Sequence, residues 1–262
     1  MINFINCSEC KSKLCVVQRY CDPDWVDIVN RKKNQEFYKK GQYLFREGDR
    51  VFGLYFIQSG KVKVISTGLN GKEQIVRLAN DGHVVGHRGY GSEIYPIGAV
   101  ALSDTYACFL DNDVLYEAFM NNSRLTYSMM MFYSFELRKT EIRQRLLAQM
   151  SIREKIAETL LYIKDNFGLN EEDGSLNVVL SRQEIADIAG TSPEQVARML
   201  TDFQGEKLIF KKAKQILILD EDGLNKIIAA HGKVYGETWE KYVMEVLHLP
   251  KSMVSYDVAY KL

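Results

Sequence analysis

Residues 180–205 read LSRQEIADIAGTSPEQVARMLTDFQG, and this stretch encodes two short helices separated by a tight turn. Ser181 and Glu184 form a capping box, in which the hydroxyl accepts a first-turn amide and the carboxylate reaches back to the amide of Ser181. Ile185, Ile188 and Ala189 then fall on one helical face. Gly190 can take the left-handed backbone on which such a helix stops. Ser192 serves as the next N-cap, Pro193 as the first helical residue, and Gln195 is placed to close a second capping box. Val196, Leu200 and Phe203 give the second helix its apolar stripe, and Gly205 is expected to end it.

Two helices of about two and three turns joined at a glycine make a helix-turn-helix, whose second helix enters the major groove of DNA. With the apolar stripe buried, Glu194, Ala197, Arg198 and Thr201 point outward. Arginine is the best bidentate reader of guanine O6 and N7, and glutamate accepts from cytosine N4. Ser181, Arg182, Thr191, Ser192 and Gln195 complete the expected DNA-contacting set. The competing structural reading is an ordinary helical hairpin with an exposed Glu and Arg, and the rest of the chain argues against it.

A length of 262 residues allows one or two domains, and 46% hydrophobic with 26% charged residues is the balance of a soluble globular protein. No apolar run approaches the roughly 18 residues that span a bilayer. The start, MINFINCSEC, has neither a basic n-region nor an apolar h-region, so a cytoplasmic protein without membrane contact is expected. Basic and acidic residues both total 34, which excludes a non-specific coater of nucleic acid. Residues 1–150 hold 20 basic and 16 acidic side chains and residues 151–262 hold 14 and 18. Phosphate attraction must therefore come from a local set: Arg182, Arg198, Lys207, Lys211, Lys212 and Lys214. No phosphate loop, nucleophile elbow or catalytic carboxylate pair is present at motif spacing, so an enzyme is not expected.

Residues 1–22 read as a polar arm without periodicity that carries Cys7, Cys10, Cys15 and Cys21. Asp24–Asn30 fits a short helix before the basic run Arg31–Lys33. Between Phe37 and Leu110, short β segments alternate with glycine corners: Val51–Gln58, Lys61–Ser66, Gln74–Ala79, Ile97–Leu102 and Tyr106–Leu110. Asn70-Gly71 is a hairpin signal, and the spacing predicts a small antiparallel barrel or roll. A helical period follows from Asp113 to about Gln149, with Met130, Tyr133, Leu137, Thr140, Gln144 and Leu147 as a dimer seam. Leu125, Met129 and Phe132 form a second stripe that can pack on the roll. Further expectations are a helix over Ile152–Asn166, a short strand over Asn177–Leu180 and a β-hairpin wing over Leu208–Leu219. Helices over Asn225–Ala230 and Glu237–Leu247 complete them.

With roll, long helix and winged helix-turn-helix in this order, the chain resembles the CRP/FNR family of bacterial transcription regulators over about residues 20–225. The resemblance is carried by KGQYLFREGD and FGLYFIQSGKVKV in the roll and by SRQEIADIAGTSPEQVARML. It implies an α+β fold: an N-terminal antiparallel β-roll of the cyclic-nucleotide-binding type, a long dimerisation helix and a C-terminal winged helix-turn-helix. The expected divisions are an arm over 1–22, a sensor roll over 23–112, the long helix over 113–150, the DNA-binding domain over 151–222 and a helical extension over 223–262. Implied partners are a second copy of the chain, double-stranded promoter DNA and RNA polymerase.

The family's cyclic-AMP branch binds ribose and phosphate through Gly-Glu and Arg-Ser. Here those positions read Gly86-His87 and Tyr95-Pro96-Ile97, so cyclic AMP is not the expected ligand. Gly86, His87, Arg88 and Tyr95 mark where an effector pocket would lie. His83 and His87 also admit haem ligation, although histidines in a glycine-rich corner are more often structural. In the FNR branch, three arm cysteines and one from the roll hold a [4Fe–4S] cluster. Cys7, Cys10, Cys15 and Cys108 resemble that set, with the second gap one residue shorter than the familiar pattern. Four thiolates suit Zn²⁺ equally, with Cys21 as a spare, and unligated redox-reactive thiols are the third possibility. The recognition helix resembles that branch's Glu-x-x-Ser-Arg but carries Ala197 in place of the serine, which keeps a TTGA-type half-site with altered outer contacts. The expected function is a homodimeric regulator sensing oxygen, redox state or a small molecule. Two alternatives stand beside it: an effector-binding or structural roll with a degenerate helix-turn-helix, and a zinc-stabilised regulator without redox sensing.

Overall fold

The structure is a computed structural model that describes residues 5–12 and 14–231. The helix expected over Glu237–Leu247 and most of the extension over 223–262 lie outside the described residues. The chain forms two compact units, one holding 5–64 with 79–137 and the other 65–78 with 138–231. No described helix is long and apolar enough to cross a membrane.

In the first unit, α1 (Val16–Tyr20) and α2 (Pro23–Lys32) precede β1 (Asn34–Tyr38), β2 (Tyr43–Phe45), β3 (Gly53–Ser59) and the start of β4 (Val62–Thr67). β5 (Glu73–Ala79) falls almost wholly in the other unit, and β6 (Val84–Val85), β7 (Gly98–Ala101) and β8 (Thr105–Asp111) are the remaining strands of the first. One sheet has the order β1-β8-β3-β6 and the other β2-β7-β4-β5, and the pairings of β1, β3 and β6 in the first and of β2 with β7 are antiparallel. Sequence periodicity marks β3, β4, β5, β7 and β8, whereas β2 and β6 are too short to mark and β1 is largely polar. The Asn70-Gly71 signal is borne out: both residues take positive φ, 61° and 72°.

The helical stretch expected as one long element from Asp113 is two helices, α3 (Asn112–Asn121) and α4 (Ser123–Gln149). The break falls at Asn122, which leaves helical geometry (φ −128°, ψ 89°) and is almost wholly buried. Its side-chain amide donates to the Ala118 carbonyl at 2.8 Å, and its oxygen accepts the Asp22 amide at 3.0 Å. Asparagine competes with helical hydrogen bonding in just this way. Leu125, Met129 and Phe132 pack in a core with Val16, Val17, Tyr20, Leu54, Phe56 and Leu110, as the second stripe predicted. The other stripe faces outward in the single chain: Met130 is 56% and Leu137 62% exposed, and Tyr133, Thr140 and Gln144 are exposed as well. Leu147 is half-buried.

The described residues of the arm carry regular structure where the sequence shows no periodicity. A 3-10 turn over Cys7–Glu9 and helix α1 are seated on the roll, and Leu14 approaches Gly82 so closely that a Cβ there would stand 2.4 Å from the Leu14 Cβ. Gly82 also takes φ +81°, so two constraints favour glycine at this corner.

The second unit contains the C-terminal part of α4, then α5 (Ile152–Phe167), α6 (Arg182–Ala189), α7 (Pro193–Gly205), β9 (Ile209–Lys212), β10 (Gln215–Ile218) and α8 (Glu221–Ile227). The antiparallel pair β9–β10 is the expected wing. Asn177–Leu180 is not a strand; the neighbouring residues make only single bridges, Leu169 to Leu176 and Ser175 to Leu217. The helix expected from Asn225 begins earlier, at Glu221, because Asp220 caps it by accepting the Gly223 amide.

Candidate nucleic-acid interface and cysteine site

The pair α6–α7 is built from local hydrogen bonds. Ser181 Oγ accepts the Glu184 amide at 3.1 Å, and the Glu184 carboxylate accepts the Ser181 amide at 2.9 Å. Gly190 ends α6 in the left-handed region at φ 62°. Ser192 caps α7 by accepting the Gln195 amide at 3.4 Å. The second box does not close. Gln195 instead turns its side-chain oxygen to Arg198 Nη2 at 2.6 Å, where the guanidinium is the stronger donor. Gly205 is the last residue of α7, as expected; the chain leaves the helix at Glu206, and Lys207 takes the positive φ of 61°.

Val196, Met199, Leu200 and Phe203 are buried, which leaves Glu194, Arg198 and Thr201 exposed and Gln195 and Ala197 half-buried on the outer face of α7. Ser181 and Arg182 are exposed, and Thr191 and Ser192 are half-buried in the turn. The Thr201 hydroxyl donates to the Ala197 carbonyl and accepts from Lys211 Nζ at 3.2 Å, so it ties the wing to α7. Lys207, Lys212 and Lys214 stand exposed around the same hairpin. The result is a polar, locally basic helix face with one arginine held by a neighbouring glutamine.

One residue behind this face was not foreseen. Arg143, from the last turns of α4, donates from Nη2 to the Ile188 carbonyl at 2.7 Å, at the C-terminal end of α6. Its guanidinium lies 3.7 Å from the carboxylate of buried Glu158 and 4.5 Å from the centre of the Tyr162 ring. Burial pushes the Glu158 carboxyl up, and Arg143 offsets only part of that. A cation at a helix C-terminus is favourable in itself. Nothing in the sequence sets it apart from Arg138 and Arg145, which lie in the same helical period.

In the first unit, Cys7, Cys10, Cys15 and Cys108 all line one cavity, together with Ser12, Gln18 and Lys33. Cys108 comes from β8, opposite Gln35 of β1 and Phe56 of β3. It lies a few residues before α3, and α4 begins only at Ser123. Asn30, Gln35 and Gln18 hold the cysteine loop from outside. Asn30 Oδ1 accepts the Cys7 amide at 2.9 Å, and Gln35 exchanges two bonds with the backbone of Ile5 at 2.8 and 2.9 Å. Gln18 donates to the carbonyls of Cys7 and Cys10. Cys21 does not line the cavity; it packs in the hydrophobic core beside Val17 and Tyr20.

Burial pushes the thiols of Cys15 and Cys21 up to about 12 and raises that of Cys108, for which the Gln35 hydrogen bond and the charge of Lys33 work in the opposite direction. Such thiols are poor nucleophiles at neutral pH. Ser12 is 6% exposed, and its hydroxyl has no hydrogen-bond partner. A buried unsatisfied hydroxyl on a cavity wall is the mark of a space that receives something polar. Among the described residues, no three His, Cys, Asp or Glu side chains converge closely enough to hold a single metal ion.

The residues expected to face an effector are packed together. Tyr95 is 2% exposed, donates its hydroxyl to the Gly53 carbonyl at 2.7 Å and stacks on Phe45 at 4.1 Å. A Cβ on Gly86 would meet the Tyr95 ring at 3.1 Å. His87 is buried against Phe132 and Tyr133, 3.8 Å from the Glu136 carboxylate, and Arg88 is half-buried. His83 Nδ1 accepts the Asn80 amide at 3.4 Å within its own turn. Both histidines therefore take part in packing or turn structure.

Comparison with known proteins matches this architecture. Residues 35–122 fit the model of the cyclic nucleotide-binding domain, and residues 154–227 that of the Crp-like helix-turn-helix domain. The chain is 30% identical over 222 residues to the transcriptional activator protein Anr of Pseudomonas protegens, covering 83% of this chain and 90% of that one. This chain belongs to the CRP/FNR family of transcription regulators. It is also 28% identical over 225 residues to the anaerobic regulatory protein of Bacillus subtilis, covering 85% of this chain and 89% of that one. FixK2 from Bradyrhizobium japonicum shares the fold, with a TM-score of 0.68 at 23% identity, covering 75% of this chain and 98% of that chain. The relatives are regulators, not enzymes, in keeping with the missing catalytic motifs.

Proposed function

We propose that this regulator senses oxygen or redox state through a [4Fe–4S] cluster held by Cys7, Cys10, Cys15 and Cys108. The observation that carries the reading is the shared cavity: four cysteines, three from the arm and one from β8, surround a space whose wall bears the unsatisfied Ser12 hydroxyl. The donor set fits the group, since all four ligands are thiols and the surrounding wall is largely apolar. Zinc takes the same four thiols at about 2.3 Å from one point, and the metal content of the purified protein distinguishes the two guests. When bound, the cluster supplies an oxygen-labile group whose loss releases the thiols. Gln18 and Asn30 fix the loop backbone, and the high proton affinity of Cys15 and Cys108 makes loading more favourable as pH rises.

The relative called an anaerobic regulatory protein supports this input. Cyclic AMP is a poor fit, because the Gly86–Tyr95 region is filled by protein side chains. Output on this reading is a cytoplasmic homodimer on double-stranded promoter DNA, in contact with RNA polymerase. Support for the dimer is the exposed stripe of Met130, Tyr133 and Leu137, and support for DNA reading is the exposed pair Glu194 and Arg198. Residues 1–22 are then the arm, 23–112 the sensor roll, 113–150 the connecting helices, 151–222 the DNA-binding domain and 223–262 the extension.

One experiment tests the reading. Anaerobically purified protein should be brown, carry iron with acid-labile sulfide, and protect a two-fold site with half-sites roughly 34 Å apart. Air should bleach it and weaken the footprint, and Cys108→Ser should abolish colour and air response while Cys21→Ser keeps both. Colourless protein with stoichiometric zinc refutes cluster sensing, and no footprint in either state refutes DNA reading.

A further inference from the structure

The cysteine cavity contains a charge that four thiols do not account for. Arg31–Lys33 is a basic run in the sequence, yet Lys33 is only 5% exposed. It caps the C-terminus of α2, with its amide on the Val29 carbonyl at 2.8 Å, and its side chain turns inward. Nζ donates to the Ile5 carbonyl at 2.7 Å and to Cys7 Sγ at 3.3 Å. The same side chain lines the cavity beside all four cysteines, with Val17, Val29, Phe56 and Leu110 around it.

Lysine is among the residues least often buried, and an ammonium withdrawn from water costs several kcal/mol unless a compensating charge is near. Four thiolates around a metal centre leave a net negative charge, and that charge is itself costly in an apolar enclosure. The two costs cancel when the groups share the site. We propose that Lys33 is the resident countercharge of the cysteine site: its ammonium neutralises thiolate ligation and donates a hydrogen bond to the Cys7 sulfur. This rests on the four-cysteine ligation above, but not on which metal group is held. A cation and an N–H donor at a ligating sulfur draw electron density from it, which stabilises the reduced state and slows loss of the guest. Lys33 is thus a positioning residue of the site.

The test compares full-length wild type, Lys33→Met, Lys33→Gln and Lys33→Arg, each loaded anaerobically with ferrous iron and sulfide. Three quantities are read: metal loss to a chelator, reduction potential, and thermal midpoint of the metal-free proteins. Lys33→Met should lose metal about tenfold faster and show a more negative potential. Lys33→Gln, which keeps an N–H donor without the charge, should fall between, and Lys33→Arg should stay near wild type. If wild type carries zinc instead, the chelator comparison keeps the same expected order. Equal retention in Lys33→Met and wild type overturns the proposal. So does Lys33→Arg falling as far as a neutral variant, since that order marks a packing role. Wild type that binds no metal overturns both this proposal and four-cysteine ligation.

Discussion

The helix-turn-helix and the cysteine arm are held in place by opposite means. In α6–α7 the deciding bonds join residues three apart: Ser181 with Glu184, Ser192 with Gln195, Gln195 with Arg198. In the arm they join residues far apart in the chain: Cys7 with Asn30, Ile5 with Gln35, Asp22 with Asn122. Local bonds form at little cost in chain entropy, whereas the arm must close loops before any bond is made. The helix-turn-helix is therefore pre-shaped by its own sequence, and the cysteine cavity exists only where the roll has already folded. On the proposed function, the element that reads one geometry is fixed and the element that responds is conditional.

Arg143 is the exception that most sharply tests the contrast, since it anchors α6 from a helix 45 residues away. Arg143→Met leaves the Glu158 carboxylate buried without its cation and is expected to cost roughly 3 kcal/mol of stability in the second unit. Denaturant titration followed by a probe in that unit measures it, and a loss below about 1 kcal/mol, the net worth of one ordinary hydrogen bond, would make the helix pair self-sufficient. Arg198→Ala should weaken binding to the preferred site by about 1–3 kcal/mol with folding unchanged. Binding curves that overlay wild type would move base reading off α7. Smallest is Ser181→Ala, which removes a cap that α6 supplies for itself and should cost about 1 kcal/mol. Thermal unfolding gives the value, and no change would show that tertiary packing, not the cap, sets the start of α6.

Sequence reading succeeded where structure is local. Capping residues, Gly190, the Leu125–Met129–Phe132 stripe and the β9–β10 wing follow from spacing alone, and each is found in place. Reading failed where a side chain acts at a distance. Gln195 satisfies the spacing of a capping box, yet the guanidinium one turn on competes for its oxygen. Asn122 sits inside an unbroken helical period, and only its bond to Asp22 marks the corner. Lys33 reads as one of three surface cations until Ile5 and Cys7 are brought against it. The four cysteines were nameable as a set with Cys21 as a spare, and the lining of the cavity, which includes the four and leaves Cys21 out, makes the same division.

Asn122 also sets an order of events. It receives the Asp22 amide across 100 residues of chain, and Cys108 is just as far from Cys7 along the sequence. At roughly 5–20 residues per second of synthesis, the arm waits several seconds for the strand and the corner that enclose it. Cys7, Cys10 and Cys15 are thus made early and covered late. If they hold the proposed cluster, iron and sulfide would meet an open segment before folding closes the cavity around it.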